Sequence, residues 1–419
     1  MVTKSPREFE FTGALAEDLG RPDHKADPYP FYRWLQEQKP IYQGVFGDWI
    51  VTRYDETVRV LRDPLFSSDN MGHNENFQAI RPMLDAQPEI GPLLKLQEKA
   101  MLFMDPPDHT RLRGLVSKAF TPRTVEGLRG QIEALIEDLL DRQRARPSFD
   151  LVGDFAYQVP VLVICELLGV PPTDRGRFGA WSAALARGLD NLTVADAEFI
   201  LHGNAAAAGL TAYFRELVAA RRRTPGTDLL SALITAEEAG DRLTEDELLA
   251  TCVLLFFAGH ETTVNLIGNG TLALLRHPDQ LQRLRQQPQL IANAVEELLR
   301  YDSPVQRTGR IAAEEVDFAG VHIQRGDRVT MLVGAANRDP AQFADPDRLD
   351  VTRPNASQHL SFAAGIHYCV GAPLARLEAQ LAIAALLRRA PDLRLLDQQP
   401  PWRPTFVLRG LQSLQVAWS

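Results

Sequence analysis

Along most of the chain the apolar residues recur at the 3.6-residue spacing of helices. Strand-like alternation is confined to a few short stretches. The helical pattern predicts helices over Pro28–Gln38 and Tyr54–Asp63, with short strands between them at Pro40-Ile-Tyr-Gln and Asp48-Trp-Ile-Val-Thr. From about Thr121 onward it predicts helices over Thr124–Arg146, Phe155–Leu168, Ala195–Arg223 and Thr227–Ala239. A longer segment follows from Thr244 to His277. Thr244 and Glu247 form a capping box at its start, and His277-Pro278 closes it. Such a helix is roughly 50 Å long at 1.5 Å per residue, and it is apolar on most sides through its middle, as a buried central helix is. After Tyr301, Gly320–Val333 reads as a hairpin and Thr405–Trp418 as a terminal β pair, while Asn337–Ser361 is a polar, Asp/Pro-rich meander. Long irregular segments inside compact domains usually carry function or cover a site. These elements predict a mainly helical α+β fold with small sheets near the N-terminus and C-terminus. No internal repeat or long linker interrupts it. One domain over 1–419 is expected, its β-containing part (about 1–65) packed on the helical remainder.

Composition narrows the function classes. Of the 419 residues, 45% are hydrophobic and 24% charged, as in ordinary globular proteins. A net charge of -9 argues against a non-specific nucleic-acid binder. The start, Met1-Val-Thr-Lys-Ser-Pro-Arg-Glu, has no apolar signal core. No uninterrupted apolar run approaches the roughly 18 residues of a membrane span, so a cytoplasmic protein without a membrane anchor is expected. Three cysteines suit a reducing compartment. Cys165 and Cys252 lie in apolar helical runs and read as buried hydrophobes. Cys369 differs. It follows a Gly-containing loop and precedes Gly371-Ala-Pro, so it is the cysteine placed for chemistry.

The run Phe362-Ala-Ala-Gly-Ile-His-Tyr-Cys-Val-Gly-Ala-Pro-Leu-Ala-Arg376 leads into an apolar helix over Pro373–Ala390. Cys369 therefore stands just before a helix N-terminus, where free N–H groups and the macrodipole favour a thiolate. Gly365 and Gly371 permit a sharp turn and close approach to a flat ligand. Backbone N–H groups aimed at the sulfur would tune a metal ion held there, and Phe362 would pack on that side. A zinc reading is weaker, because His359, His367 and Cys369 lack Cys-x-x-Cys-type spacing.

This stretch resembles the Phe-x-x-Gly-x-His-x-Cys-x-Gly signature of the cytochrome P450 family in its soluble bacterial form, and the similarity extends over nearly the whole chain. Ala364 departs from the glycine many members carry. The resemblance implies haem b with Cys369 as axial thiolate ligand. It marks Ala258-Gly-His-Glu-Thr-Thr263 in the long helix as the oxygen-binding groove, with Ala258 and Gly259 beside the haem, Thr262 activating oxygen and Glu261 delivering protons. An acid and an alcohol inside an apolar helix are costly without a role. The competing reading is Thr262 back-bonding to a carbonyl with Glu261 at a solvated kink, and His260 either joins the relay or points away. The resemblance also makes His109, Arg113, Arg310 and His367 partners of the haem propionates. It identifies Glu297-Leu-Leu-Arg300 as the Glu-x-x-Arg pair that locks the meander through a third arginine, with Arg348 the candidate and Arg353 its rival.

The implied activity is a monooxygenase placing one atom of O2 in an apolar small molecule. Electrons come from ferredoxin and an NAD(P)H-dependent ferredoxin reductase, docking near Arg111, Arg113 and Arg376; a monomer is expected. A peroxide-driven peroxygenase and a non-catalytic haem sensor are the alternatives, and Glu261-Thr262 argues against both. The expected pocket segments are Met71–Leu102, Phe178–Leu201, Leu254 with Ala258, Val305–Thr308 and Phe406.

Overall fold

The segment between Thr244 and His277 forms one helix, Glu245–Arg276, around which the rest of the chain is built. Its capping box is complete: the Thr244 hydroxyl accepts from Glu247 N at 3.3 Å, and Thr244 N donates to Glu247 Oε2 at 2.8 Å. By length and composition this helix is apolar enough to cross a membrane, but 78% of its most apolar window is buried inside the protein, as for a core helix. In the computed structural model the described residues are 11–69, 71–73, 77–79, 81–82, 91–188, 197–238 and 241–418. The expected pocket segments Met71–Leu102 and Phe178–Leu201 therefore lie partly outside the described residues.

In chain order the elements that position the site are these. Helices α1 (Tyr29–Gln38) and α2 (Tyr54–Arg62) flank the strand pair β1 (Ile41–Gln43) and β2 (Trp49–Val51). After β3 (Phe66–Ser67) come α3 (Asp108–Ala119), α4 (Arg129–Gln143), β4 (Ser148–Asp150), α5 (Gln158–Leu167), α6 (Phe178–Gly188) and α7 (Ala197–Arg223). The long helix is α8, followed by α9 (Ile291–Tyr301). Strands β5 (Thr308–Ala312), β6 (Val316–Phe318), β7 (Val321–Ile323) and β8 (Arg328–Met331) precede α10 (Ala372–Arg389), β9 (Arg394–Leu395) and β10 (Gln415–Ala417). The largest hydrophobic cluster packs α8 against α4, α5, α7, α9 and α10 through side chains such as Phe155, Phe214, Phe256 and Leu298.

Three expectations about strands change. The N-terminal strands do not form a sheet of their own. They join later ones in a five-stranded sheet of order β1-β2-β8-β5-β3, with β8 parallel to β2 and antiparallel to β5. The hairpin read over Gly320–Val333 is also displaced. Ala319 and Gly320 both take positive φ (48° and 87°), a tight turn that pairs β7 backwards with β6. Gly326 then turns the chain, and Val329 and Met331 are fully buried in the large sheet. Finally, the terminal β pair reduces to β10, which lies between β9 and β4. Before it only single bridges form, Trp402 with Leu411 and Val305 with Leu408, in a stretch broken by Pro401 and Pro404.

Candidate active site

Two elements bring Cys369 into place. The loop before it is held by Cys369 N donating to the Phe362 carbonyl at 3.0 Å and Tyr368 N donating to Gly365 O at 3.1 Å. Gly365 has φ +71°, and a Cβ there would lie 2.6 Å from the Leu61 carbonyl, so only glycine fits. Gly371 is less constrained, since its φ is -81° and a Cβ would meet the Cys369 sulfur at an ordinary 3.8 Å. The Ala364 methyl is absorbed by the core cluster beneath the large sheet, and the strained backbone falls instead on Ala363 at φ +59°.

Cys369 is solvent-accessible although it is set deep in the chain. Burial pushes its thiol up, opposed by backbone N–H groups of Gly371 and Ala372 and by the charges of Arg113 and Arg376. A metal ion bound to the sulfur would stabilise the thiolate further. Cys165 and Cys252 are fully buried, and burial raises their thiols to about 11 and about 12.

Beside this loop His109, Arg113, Arg310 and His367 gather from three elements. His109 and Arg113 sit one turn apart on α3, Arg310 on β5 and His367 in the cysteine loop. The rings of His109 and His367 are 4.1 Å apart. Both nitrogens of His109 and Nε2 of His367 are buried without a hydrogen-bond partner. Burial and the neighbouring Arg310 and His109 pull the His367 pKa down to about 3. Burial also lowers Arg310 to about 10, and among the described residues its guanidinium bonds only the Gly309 carbonyl, at 2.8 Å. Orphaned buried donors beside a desolvated arginine are a fit for carboxylate groups brought in by a ligand. Arg113 donates to the Tyr368 carbonyl, tying α3 to the cysteine loop.

The oxygen segment lies midway along α8. In a helix buried through most of its length, Ala258 is exposed and Leu254, Phe257, Gly259 and Thr262 are partly so. Positions i, i+4 and i+8 form one stripe, so this face borders an opening. Thr262 Oγ1 donates to the Ala258 carbonyl at 3.1 Å, the back-bonding weighed as its alternative role. The space at Gly259 faces elsewhere: a Cβ there would press on Ile164 of α5 at 3.3 Å. Glu261 is not at a solvated kink. It is buried, its Oε2 accepts from Arg403 Nη1 at 2.6 Å and its Oε1 from Ser182 Oγ at 3.1 Å. Burial works to raise its pKa, but His260 and Arg403 more than offset it and hold the carboxyl at about 2. His260 does not point away. Its Nδ1 lies 2.7 Å from the Phe256 carbonyl and its Nε2 2.6 Å from Ser182 Oγ. A carbonyl only accepts, so Nδ1 carries a hydrogen. Ser182 has one hydroxyl hydrogen for two neighbours, so His260–Ser182–Glu261 is satisfied throughout only when Nε2 is protonated too.

The meander lock corrects one residue. Glu297 and Arg300 pair at 2.7 and 2.9 Å, and the third arginine is Arg353, whose Nε lies 3.1 Å from both Glu297 oxygens. Arg348 supplies only its backbone carbonyl, which accepts from Arg300 at 3.2 Å and Arg353 at 2.9 Å. Its N–H closes a turn onto Asp345, a residue at φ +46°, and its side chain is left exposed. His359, weighed as a zinc partner, is engaged by Glu296 at 3.2 Å and by Ser361 N at 3.1 Å. Phe406 packs on the N-terminal cluster around Leu19 and Phe31.

Residues 204–404 match the family model described as Cytochrome P450. The chain is 42% identical over 407 residues to the biotin biosynthesis cytochrome P450 of Bacillus subtilis, covering 96% of this chain and 99% of that one. The chain belongs to the cytochrome P450 family. It is also 42% identical over 405 residues to the 6-deoxyerythronolide B hydroxylase of Saccharopolyspora erythraea, covering 95% and 98% of the two chains. A crystal structure of P450BioI in complex with hexadec-9Z-enoic acid ligated acyl carrier protein superposes with a TM-score of 0.87 at 42% identity, over 95% of this chain and 99% of that one. As a cytochrome P450 the protein is a haem-thiolate monooxygenase whose haem iron is ligated by a cysteine. It acts on apolar substrates with O2 and external redox partners.

Sequence reasoning missed Ser182, Arg403 and Glu296. Each touches the site from another element, and only the double acid Glu296-Glu297 left any trace in the pattern.

Proposed function

We propose that this cytochrome P450 oxidises long acyl or macrocyclic polyketide-like substrates, with Glu261 and Thr262 managing protons at the accessible stripe of α8. The chain His260–Ser182–Glu261–Arg403, ending next to the accessible stripe of α8, carries the reading. Haem bound through Cys369 supplies the redox chemistry that places one atom of O2 in the substrate and the other in water. His109, Arg113, Arg310 and His367 hold its propionates by charge and by their free donors. With haem bound, Thr262 would turn its hydroxyl from the Ala258 carbonyl toward the accessible face of α8. Glu261 leaves Arg403 to take a proton from solvent and pass it inward, and the His260–Ser182 pair stores one beside it. Ser182 belongs to α6, so movement of that helix resets the chain.

The substrate class is supported by the relatives' names, one a hydroxylase of 6-deoxyerythronolide B and one holding a fatty acyl chain on a carrier protein, and by the apolar wall of Leu254 and Ala258. Electrons arrive from a ferredoxin docked on the thiolate side, in the cytoplasm, where the buried free thiols of Cys165 and Cys252 are at home. Of the three basic residues there, Arg111 is paired with Glu247 and Arg376 with Glu296. Arg113 is tied to the Tyr368 carbonyl. A panel of fatty acyl and macrolactone ligands, scored by the haem spin-state shift, tests the substrate class; shifts only with small terpenoids would overturn it. Turnover that needs NAD(P)H with redox proteins and fails with peroxide alone separates the monooxygenase from a peroxygenase.

A further inference from the structure

Adjacent residues on a helix point about 100° apart, so Glu296 and Glu297 on α9 serve different networks. Glu297 turns to the meander. Glu296 turns to α10 and the cysteine loop, where Arg376 grips it with two parallel bonds, Nε to Oε1 at 2.7 Å and Nη2 to Oε2 at 2.8 Å. The third face of the carboxylate meets His359 Nε2 at 3.2 Å. Ser361 N donates to Nδ1 of that ring at 3.1 Å, so the hydrogen of the neutral tautomer is on Nε2 and donates to Glu296.

Arg376 in turn covers the cysteine loop. Its guanidinium lies 4.6 Å from the centre of the Phe362 ring and donates from Nη1 to the Tyr368 hydroxyl at 2.9 Å. Phe362 is the residue whose carbonyl takes the Cys369 N–H, and Arg376 is among the charges felt by the sulfur. Of the two members of the pair, Arg376 is the one whose charge reaches the sulfur.

We propose that Glu296 and Arg376 act as two opposed charges behind the Cys369 loop, Arg376 raising and Glu296 lowering the reduction potential of the haem that Cys369 ligates. Reduction adds one negative charge to the iron–thiolate unit. A nearby cation stabilises that state and raises the potential, while an anion lowers it.

The test is the haem reduction potential of the purified holoprotein, measured by redox-dye titration without any protein partner. E296Q removes the negative end and is expected to shift the potential upward. R376M removes the positive end and is expected to shift it downward. R376K keeps the charge without the two-pronged grip and lies between R376M and the parent. A loosened loop would move both main variants the same way, so shifts of one sign overturn the proposal, as does no shift in either. The CO-bound reduced spectrum is recorded for each variant to show that the thiolate is retained. If R376M does not retain haem, E296Q against E296D decides. A raised potential in the first and a parental one in the second supports the proposal, and any other pairing overturns it.

Discussion

Glu261 and Glu296 are both buried carboxylates flanked by a histidine and an arginine, and both are held at about 2, yet their surroundings differ. For Glu296, as for Glu261, burial alone would raise the pKa; Arg376 and His359 reverse it. Its arginine grips with two prongs, and its histidine is pinned by a backbone N–H. Glu261 has one prong of Arg403, from a segment held by the Trp402–Leu411 bridge and by Arg409 stacked on Trp402, and a serine from α6. One electrostatic solution therefore serves two ends. Where every partner belongs to the packed core it makes a brace. Where the partners come from separable elements, next to an opening in α8, it makes an acid that is charged at rest and free to move.

The comparison breaks first at the brace side. Removing Glu297 leaves Arg300 and Arg353 buried without their counter-charge, a loss of about 3–5 kcal/mol. E297A should then unfold at much lower denaturant and retain little haem, as read by chemical unfolding and the bound-haem absorbance. E261Q should do the reverse. Stability stays within about 1 kcal/mol, whereas product formation falls by about 10²- to 10⁴-fold, the usual worth of a positioned acid or base. Oxygen consumption continues and ends as peroxide. If E261Q turns over normally, the distal assignment is wrong.

Acidification sharpens the likeness between the two. Each carboxylate has a folded pKa near 2 against an ordinary 4.5, so the unfolded chain binds more protons between those values. The stability each contributes is complete above about 4.5 and is lost as pH falls toward about 2. Acid unfolding of E261Q or E296Q should show a shallower slope across that window than the parent. The smallest effect is at Glu378 of α10, a fully buried acid that burial holds well above its ordinary range and that bonds Thr263. Here the sign reverses. The group favours the fold below about 4.5 and loses that contribution as pH rises through its folded value. E378Q keeps the hydrogen-bonding shape and should be modestly more stable than the parent above neutral pH; an equal or lower midpoint contradicts this.

What the sequence shows follows from how local each signal is. The capping box of Thr244 and Glu247, the turn requiring Gly365 and the helix after Cys369 are all written within a few residues. The cluster of His109, Arg113, Arg310 and His367 was reached only through the family pattern, since His109, Arg310 and His367 are brought together by packing. Arg353 was passed over for Arg348 because nothing local says which way a turn at Asp345 points a side chain. Arg403 meets Glu261 across 142 residues, and Glu296 meets Arg376 across 80. Periodicity is silent about such partners. The misplaced hairpin has the same origin: β8 has its own strand pattern, but the larger sheet competes for it.

The central claim is that Cys369 is the thiolate ligand. Its most direct test is the absorbance spectrum of the reduced, CO-bound protein after replacing Cys369 with Ala. The account predicts that the thiolate-type band disappears while the fold, followed by circular dichroism, persists. A variant that keeps that band would contradict it.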